Sequence, residues 1–349
     1  RKMKTCRFTA LLALLVLLVV GQVAEAGVRK SGLTGAAFLK IGVGARPVAL
    51  GSAYTTVTGD VNQLFWNPAG ITLNDGASQV TLFHNEWIAE LGHDAIGFTR
   101  DMGDIGTLGI GIVTLGLGDI GADRDAVPQF VLDTGVFEPN DTATSGAYDY
   151  RDLAIGISWA RNVSSRLSLG VTGKIISQSI DGESASAYAM DFGAIYRIDY
   201  RNTRIGARLN NLGSDIKFYN IGAPLPLIFS VGMASDLLDN QDSGMKVTLL
   251  ADATKPQDGE QLVYTALEVQ VLKMLKLRSG YKFNYQSVED EKVDEVTGGT
   301  FDAPRTEEGL TAGLGVDFGM GGYTATIDYA YTDFGILDSV HRISLQLGF

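Results

Sequence analysis

Much of the chain alternates hydrophobic and polar residues with a period of two, which is the pattern of a β-strand with two different faces. Near the end of the sequence, one apolar face is formed by Tyr323, Ala325, Ile327, Tyr329 and Tyr331. The last alternating segment has a second such face, formed by Ile343, Leu345, Leu347 and Phe349. The pattern predicts half-buried strands, and taken alone it fits a soluble β-sandwich as well as a membrane barrel.

Fourteen segments after residue 76 show this alternation, and turn residues end each of them. They span 77–88, 89–101, 104–117, 148–161, 165–180, 184–199, 202–213, 224–237, 243–255, 260–273, 274–287, 307–319, 322–334 and 339–349. The 43 glycines of the chain support an all-β fold class, because glycine destabilises helices.

The second face of these segments distinguishes a membrane barrel from a soluble sandwich. In the segment 307–319 that face consists of Thr311, Gly313, Gly315, Asp317 and Gly319. A soluble sandwich exposes many lysines and glutamates, whereas small residues with isolated charges are typical of a barrel interior whose outside contacts lipid. We therefore predict that residues 77–349 form a 14-stranded antiparallel transmembrane β-barrel.

The predicted connections are short after even-numbered strands and longer after odd-numbered ones. The two longest, Asp119–Ala147 and Glu289–Thr306, are both acidic. Tight turns on one side and long loops on the other indicate the outer membrane of a diderm bacterium. A solvated surface is the simplest interpretation of the acidic runs.

Residues 1–26 have the layout of a secretory signal peptide. Basic residues precede an apolar run, Phe8–Val20, which is shorter than the roughly 20 residues of a transmembrane helix, and Ala24-Glu25-Ala26 resembles a cleavage site. The single cysteine, Cys6, lies in this segment, so the remaining chain has no thiol for a disulfide or a metal site. That remainder carries 24 basic and 39 acidic residues, which argues against nucleic acid as a partner.

The segment between the predicted signal peptide and the first strand has a different composition. Short apolar pieces alternate with glycine and proline, and helical turns are predicted near Val48–Val57 and Asp60–Phe65. Asn67-Pro68-Ala69-Gly70 has the composition of a turn. The segment is too small to hold a core of its own, so it must pack against or inside something larger.

Several stretches of the sequence resemble the PorV/PorQ family, within the FadL-like long-chain fatty acid transporter superfamily. The stretch AAFLKIGVGARPVALGSAYTTVTGDVNQLFWNPAGI (residues 36–71) resembles the N-terminal signature of that family, and Asp328–Phe349 resembles its C-terminal signature. Tyr188–Arg197 and Arg204–Ile216 are similar to its middle part. The resemblance implies a fourteen-stranded barrel and an N-terminal hatch, residues 27–76, inside it.

The resemblance also implies one of two functions. PorV-like proteins receive exported proteins at the outer membrane in type IX secretion, whereas FadL-like channels pass hydrophobic molecules such as long-chain fatty acids. We place protein export first, because the chain lacks the long apolar outer region of fatty acid transporters; a closed structural barrel is a third alternative. The expected partners are outer-membrane lipid, the barrel assembly machinery, and either secretion-system components and exported proteins or hydrophobic small molecules.

Three groups of residues are candidate sites. The hatch turn, Trp66, Asn67, Pro68 and Gly70, either gates the lumen or serves as a structural turn, and turn chemistry favours the structural role. Strand alternation points ten charges into the lumen, and because both signs occur we expect paired networks that anchor the hatch. They are Asp191, Arg197, Arg208, Asp317, Asp328 and Arg342, together with Lys174, Asp252, Glu268 and Arg278. The last strand, with Ile343, Leu345, Leu347 and Phe349, is the candidate signal for barrel assembly.

The sequence gives little indication of catalysis. His84, His93 and His341 lack metal-ligand spacing, and no Gly-x-Ser-x-Gly elbow occurs. We expect neither an enzyme nor a bound cofactor or metal.

Overall fold

The computed structural model of the chain describes residues 32–73, 77–123, 145–219, 221–259, 261–283, 292–293, 300–301, 309–334 and 337–349. The predicted signal peptide and the first residues of the predicted hatch, 27–31, lie outside the described residues. None of the helices in the described ranges has both the length and the hydrophobicity needed to cross a membrane.

Fourteen antiparallel strands form a closed barrel, in which the first strand pairs with the last. This confirms the predicted fold class. The first nine strands are β1 (Ser78–Glu86), β2 (Gly92–Asp101), β3 (Thr107–Asp123), β4 (Ser145–Asn162), β5 (Leu167–Ile180), β6 (Glu183–Ile198), β7 (Thr203–Gly213), β8 (Ile216–Phe218) and β9 (Ile221–Ala223). The others are β10 (Ile228–Asn240), β11 (Met245–Pro256), β12 (Leu262–Val271), β13 (Leu275–Phe283), β14 (Lys292–Val293), β15 (Thr300–Phe301), β16 (Leu310–Met320), β17 (Tyr323–Asp333) and β18 (Ser339–Gly348).

Two short hairpins, β8–β9 and β14–β15, stand apart from the barrel sheet. The barrel therefore consists of the other fourteen strands, each paired with its neighbours in chain order. We call the end with the tight connections, such as 102–106 and 321–322, the turn end, and the opposite end, which carries the β8–β9 hairpin, the loop end.

The barrel closes through a regular ladder between β1 and β18, which runs from Gln79 opposite Gly348 to Asn85 opposite Arg342. Beyond that ladder, the amides of Ser78 and Phe349 each donate to the carbonyl oxygen of the other, at 2.7 and 3.0 Å. The closed ladder leaves neither β1 nor β18 as a free sheet edge.

Side chains alternate between the outside and the interior along the barrel strands. Large apolar side chains are exposed on the outer face, for example Ile157 and Tyr188 at 67% and Ile343 at 54%. Thr311, Asp328 and Arg342 face the interior and are fully buried. An apolar exterior around a polar, filled interior is the arrangement of a transmembrane barrel.

The described hatch residues, 32–73, lie against the inner wall; we call them the hatch segment. They form one α-helical turn, α1 (Ala45–Ala49), and three 3₁₀ turns, Ala37–Lys40, Val61–Phe65 and Pro68–Ile71. Helix α1 contacts β13, β16, β17 and β18, the second 3₁₀ turn contacts β1–β3, and the third contacts β4–β6. Because these contacts reach around the barrel, the segment fills its interior.

Three further 3₁₀ turns connect barrel strands: Ile88–Glu90, Gly103–Ile105 and Tyr200–Asn202. One sequence prediction about connections needs correction, and one element was not predicted. Strand β3 extends to Asp123 and β4 begins at Ser145, so the ladder continues into the predicted loop 119–147, past an irregularity between Leu117 and Ile120. Glycines at 116, 118 and 121 hid this extension. The β8–β9 hairpin was not predicted, because three-residue strands are too short to show an alternation.

Candidate functional site

The predicted hatch turn is held by hydrogen bonds of Asn67, which is fully buried. The side chain caps the Pro68–Ile71 turn, since its Oδ1 accepts from the Ala69 amide at 3.1 Å. Its Nδ2 donates to the carbonyl oxygen of Thr55 at 2.6 Å. The same residue therefore joins two parts of the hatch segment and starts the turn.

Gly70 completes this turn, because its amide donates to the carbonyl oxygen of Asn67 at 2.8 Å and its own oxygen accepts from Gly59 at 2.8 Å. A Cβ on Gly70 would lie 2.5 Å from the carbonyl oxygen of Val57. Only glycine fits at this distance, so the close approach of the Val57 carbonyl explains why position 70 of the turn is glycine.

Trp66 connects the hatch segment to the wall. Its indole Nε1 donates to the carbonyl oxygen of Val43 at 2.9 Å, and its own carbonyl oxygen accepts from Asn210 Nδ2 of β7 at 2.8 Å. The guanidinium carbon of Arg208 lies 5.0 Å from the centroid of the Trp66 ring, within the range of a cation–π interaction.

Wall glycines allow the hatch backbone to contact the wall backbone directly. A Cβ on Gly170 of β5 would lie 2.3 Å from the carbonyl carbon of Pro68. A Cβ on Gly280 of β13 would lie 2.2 Å from the amide nitrogen of Gly51. Residues 45–71, which we call the lower part of the hatch segment, therefore contact the wall on two opposite sides of the barrel.

A network of charged side chains adds to this fit. Arg46 of α1 donates to both carboxylate oxygens of Glu268, at 2.9 and 3.0 Å, and to Asp60 at 2.7 Å. Glu268 also accepts from Arg278 at 2.7 Å, and Arg278 donates to Asp328 at 2.6 Å. Glu268 therefore bridges a hatch arginine and a wall arginine, and the charges satisfy one another.

The other predicted lumen charges have different partners. Asp191 pairs with Lys174 at 2.8 Å, and Asp317 pairs with Lys276 at 2.6 Å. Arg342 donates to Thr332 at 2.6 Å. Arg197 has the inward parity but is exposed, because it lies near the end of β6.

Hatch contacts therefore involve only some of the ten predicted charges. Within the described ranges, Arg208 and Glu268 contact the hatch segment as above, and Asp252 Oδ2 accepts from the Thr55 amide at 2.9 Å. Asp328 reaches the segment through Arg278 and Glu268.

One further contact between hatch and wall was missed by the sequence analysis. In the connection between β11 and β12, Asp258 Oδ2 accepts from Lys40 Nζ at 2.7 Å and from Thr34 Oγ1 at 2.5 Å. Burial acts to raise the pKa of Asp258, but these hydrogen bonds and the Lys40 charge outweigh it, and the pKa is lowered. No alternation marks a connecting loop, so the sequence carried no signal for this residue.

The start of the hatch segment, residues 34–43, borders the main cavity of the interior, which has a volume of about 410 Å³ and lies toward the loop end. Five aromatic residues line it, with aliphatic side chains between them; the aromatic residues are Phe65, Trp66, Trp87, Tyr264 and Phe334. Among the described residues, three cationic side chains also line it, Lys40, Arg208 and Lys282, and one acidic side chain, Asp258.

A smaller cavity of about 70 Å³ lies against the same hatch residues. The two cavities share Leu39, Ile41, Val43, Phe65, Arg208 and Ile228. Residues 39–43 therefore separate two spaces that a displacement of this strip would join.

The candidate assembly strand β18 carries its apolar side chains on the outer face, with Ile343 and Phe349 at 54% and Leu347 at 40% exposure. Nearby, the hydroxyl of Tyr329 and Nδ1 of His341 lie 2.7 Å apart on the same face. Polar-tipped aromatic residues of this kind are typical of a membrane interface. Among the described residues, no group of three or more His, Cys, Asp or Glu side chains is arranged to hold a metal ion.

The chain matches no family model and no curated protein. Solved structures do match. The toluene transporter TodX of Pseudomonas putida has a TM-score of 0.53 at 12% identity, with 88% of this chain and 97% of TodX covered. A FadL homologue of Pseudomonas aeruginosa gives 0.53 at 11% identity, covering 88% and 98%. The toluene transporter TbuX of Ralstonia pickettii gives 0.50 at 12% identity, covering 88% and 97%.

These likenesses show the fold. The chain is a fourteen-stranded transmembrane β-barrel with the FadL-like fold. Its interior is filled by the hatch segment, and a cavity with both aromatic and charged lining residues lies toward the loop end.

Proposed function

We propose that this protein is an outer-membrane channel for small hydrophobic molecules. The observation that carries the proposal is the 410 Å³ cavity, which lies toward the loop end, has aromatic and aliphatic side chains in its described lining and is bordered by the start of the hatch segment. Apolar pockets of this size bind small apolar ligands and exclude water from them.

The fold supports this proposal. Structures with the same architecture include two described as toluene transporters and one described as a FadL homologue. At 11 and 12% identity these likenesses extend to architecture only, so the cavity of this chain has to supply the argument for the ligand.

The hatch segment suggests how passage is controlled. Residues 45–71 are fixed by Glu268 and by backbone contacts at Gly170 and Gly280. Residues 34–43 are held by Asp258, by the bond from the Gly35 amide to the carbonyl oxygen of Pro224 at 2.9 Å and by the bond from the Ala36 amide to Gln178 Oε1 at 3.1 Å, without a buried ion-pair network among the described residues. A ligand that enters from the loop end would displace residues 34–43 while the lower part stays in place.

Protein export, which the sequence analysis placed first, becomes the second candidate. It rests on the PorV/PorQ resemblance of residues 36–71 and 328–349, and the three structures named above do not add to it. A non-enzymatic role belongs to both candidates.

A deletion strain tests the order of these two candidates. We expect loss of the gene to reduce uptake of radiolabelled toluene or palmitate across an intact outer membrane, while surface display of secreted proteins stays normal. Restoring the gene on a plasmid is the control. Normal uptake with lost display would overturn the channel proposal in favour of export.

A further inference from the structure

The charges around the cavity differ from those of the chain as a whole. The full sequence has a net charge of −12, yet the described residues that line the cavity include three cations, Lys40, Arg208 and Lys282, and one acidic residue, Asp258. Lys40 and Asp258 pair with each other at 2.7 Å. The cavity lining therefore has a formal excess of positive charge in an acidic protein.

Arg208 is one of these cations, and it is 6% exposed. No acidic side chain of the described residues lies within 4 Å of its nitrogens, and its Nε has no hydrogen-bond partner. Asp252, which also faces the interior, uses Oδ2 to accept from the Thr55 amide. Because Arg208 lines the cavity without a carboxylate bound to it among the described residues, the N–H groups of its guanidinium that face the cavity are a site for an anionic oxygen.

Lys282 provides a second cation on another part of the wall. Its ammonium lies 5.7 Å from the ring centroid of Tyr264, and the residue is 8% exposed. Arg208 lies in a similar position over Trp66. Each cation is thus next to an aromatic ring that also lines the cavity, so charge and apolar surface occur side by side.

We propose that the cavity selects compact hydrophobic molecules that combine an aromatic ring with a carboxylate. The inference rests on the proposed channel function and names its ligand class. The carboxylate accepts hydrogen bonds from Arg208, with Lys282 adding attraction, and the ring packs against Trp66, Trp87 and Phe334. A neutral hydrocarbon leaves the Arg208 donor unused, and the volume of about 410 Å³ suits a compact ligand.

Ligand binding can be measured by tryptophan fluorescence, because two of the three tryptophans, Trp66 and Trp87, line the cavity. Trp159 faces outward and is removed by Trp159→Phe. The purified full-length protein in this background is titrated with 4-phenylbutyrate, its neutral analogue 4-phenylbutanamide and its saturated analogue 4-cyclohexylbutyrate.

We expect 4-phenylbutyrate to bind at least tenfold more tightly than the amide, which corresponds to about 1.4 kcal/mol. We expect it to bind about threefold more tightly than the saturated acid, because contacts between aromatic rings stabilise a complex beyond the burial of apolar surface alone. Arg208→Gln should remove the advantage of the acid over the amide and leave amide binding unchanged.

Arg204→Gln is the matched control. Arg204 lies on the same strand with its side chain inward, but its Nη2 is 3.8 Å from Asp236 and it does not line the cavity. This variant should bind all three probes like the parent. If Arg208→Gln fails to give a heat-modifiable barrel on a gel, the comparison of the three probes on the parent protein and on Lys282→Gln decides instead.

The outcomes separate this inference from the channel proposal. Equal binding of acid and amide, or an unchanged preference in Arg208→Gln, overturns the selection for a carboxylate while the channel stands. Tighter binding of the saturated acid overturns the aromatic part. Binding of none of the probes, together with normal toluene uptake in the deletion strain, overturns both.

Discussion

Gly170 and Gly173 lie three residues apart on β5 and show how closely the hatch segment approaches the wall. A Cβ on Gly170 would meet the backbone of Pro68, whereas a Cβ on Gly173 has no heavy atom within 4 Å. We expect Gly170→Ala to reduce the free energy of unfolding by about 1–3 kcal/mol, because backbone atoms cannot yield as a flexible side chain would. Urea titration, followed by the heat-modifiable band on a gel, measures this.

Gly173→Ala is the control for that variant, and its effect should stay within about 0.5 kcal/mol, as for a surface substitution. Equal stability of the two variants would mean that the hatch segment does not contact β5 as closely as described.

A substitution at Glu268 tests the charged network between the hatch segment and the wall. Glu268→Gln leaves Arg46 and Arg278 without their shared carboxylate in the interior, so we expect a loss of about 3 kcal/mol or more in the free energy of unfolding. The same titration measures it.

An exposed ion pair provides the comparison for Glu268. Arg166 and Asp199 pair at the turn end, with side chains 51% and 73% exposed. Asp199→Asn should cost less than about 1 kcal/mol. A similar small loss for Glu268→Gln would show that the network contributes little to the fit of the hatch segment.

Alternation along the strands predicted which residues face the interior but could not predict their partners. Asp328 and Arg342 both point inward as expected. That Asp328 binds Arg278, whereas Arg342 binds Thr332, depends on register between strands far apart in sequence. Lys282 has the same parity as Arg278 on β13, so a stricter use of the alternation would have included it.

At the scale of elements, the barrel strands were largely predictable and the loop-end structures were not. A barrel strand repeats a two-residue pattern over nine residues or more, so each of the fourteen was recognisable. The β8–β9 hairpin and the Asp258 connection lack such a repeat, although Ile216 and Asp258 are buried against the hatch segment. These parts of the candidate site therefore came from stretches of the sequence without a periodic signal.

The contact of Asp258 with Lys40 and Thr34 at the start of the hatch segment depends on pH. Because its pKa is lowered in the folded state, its contribution is complete above the ordinary aspartate pKa of about 3.9 and is lost as the pH falls through the lower folded value. We expect the amides of Gly35 and Ala36 to exchange hydrogen about tenfold faster in Asp258→Asn at pH 7, since a charge-assisted bond contributes about 1.5 kcal/mol or more.

Hydrogen exchange with mass spectrometry measures these rates. Below pH 3.9, the exchange rates of the wild type should approach those of the variant, after correction for the effect of pH on intrinsic exchange. Asp242→Asn, in the exposed turn between β10 and β11, is the matched control and should change nothing in residues 34–41. Unchanged exchange in Asp258→Asn would show that other contacts hold residues 34–43.

At the scale of the whole molecule, the cavity exists only because distant parts of the chain meet inside the barrel. Trp66 comes from the hatch segment, Arg208 from β7, Lys282 from β13 and Phe334 from the end of β17. The sequence could predict a barrel and an N-terminal segment that packs against or inside it. It could not predict the space left between them, since that space depends on how α1 and the 3₁₀ turns sit against the wall.

In the proposed channel, passage through the barrel requires part of the hatch segment to move, and a reversible cross-link tests which part does so. In Gly35→Cys with Ala223→Cys, the two Cβ positions are 3.3 Å apart, close to the separation in a disulfide of about 3.5–4.5 Å. The single natural cysteine, Cys6, lies in the predicted signal peptide. The oxidised double variant should pass labelled toluene at least tenfold more slowly than its reduced form.

The Gly35→Cys single variant is the control, because its side chain meets the same Ile216 methyl group. Since the bond would tie residues 34–43 to the β8–β9 hairpin, equal passage before and after reduction would mean that the ligand path avoids this strip.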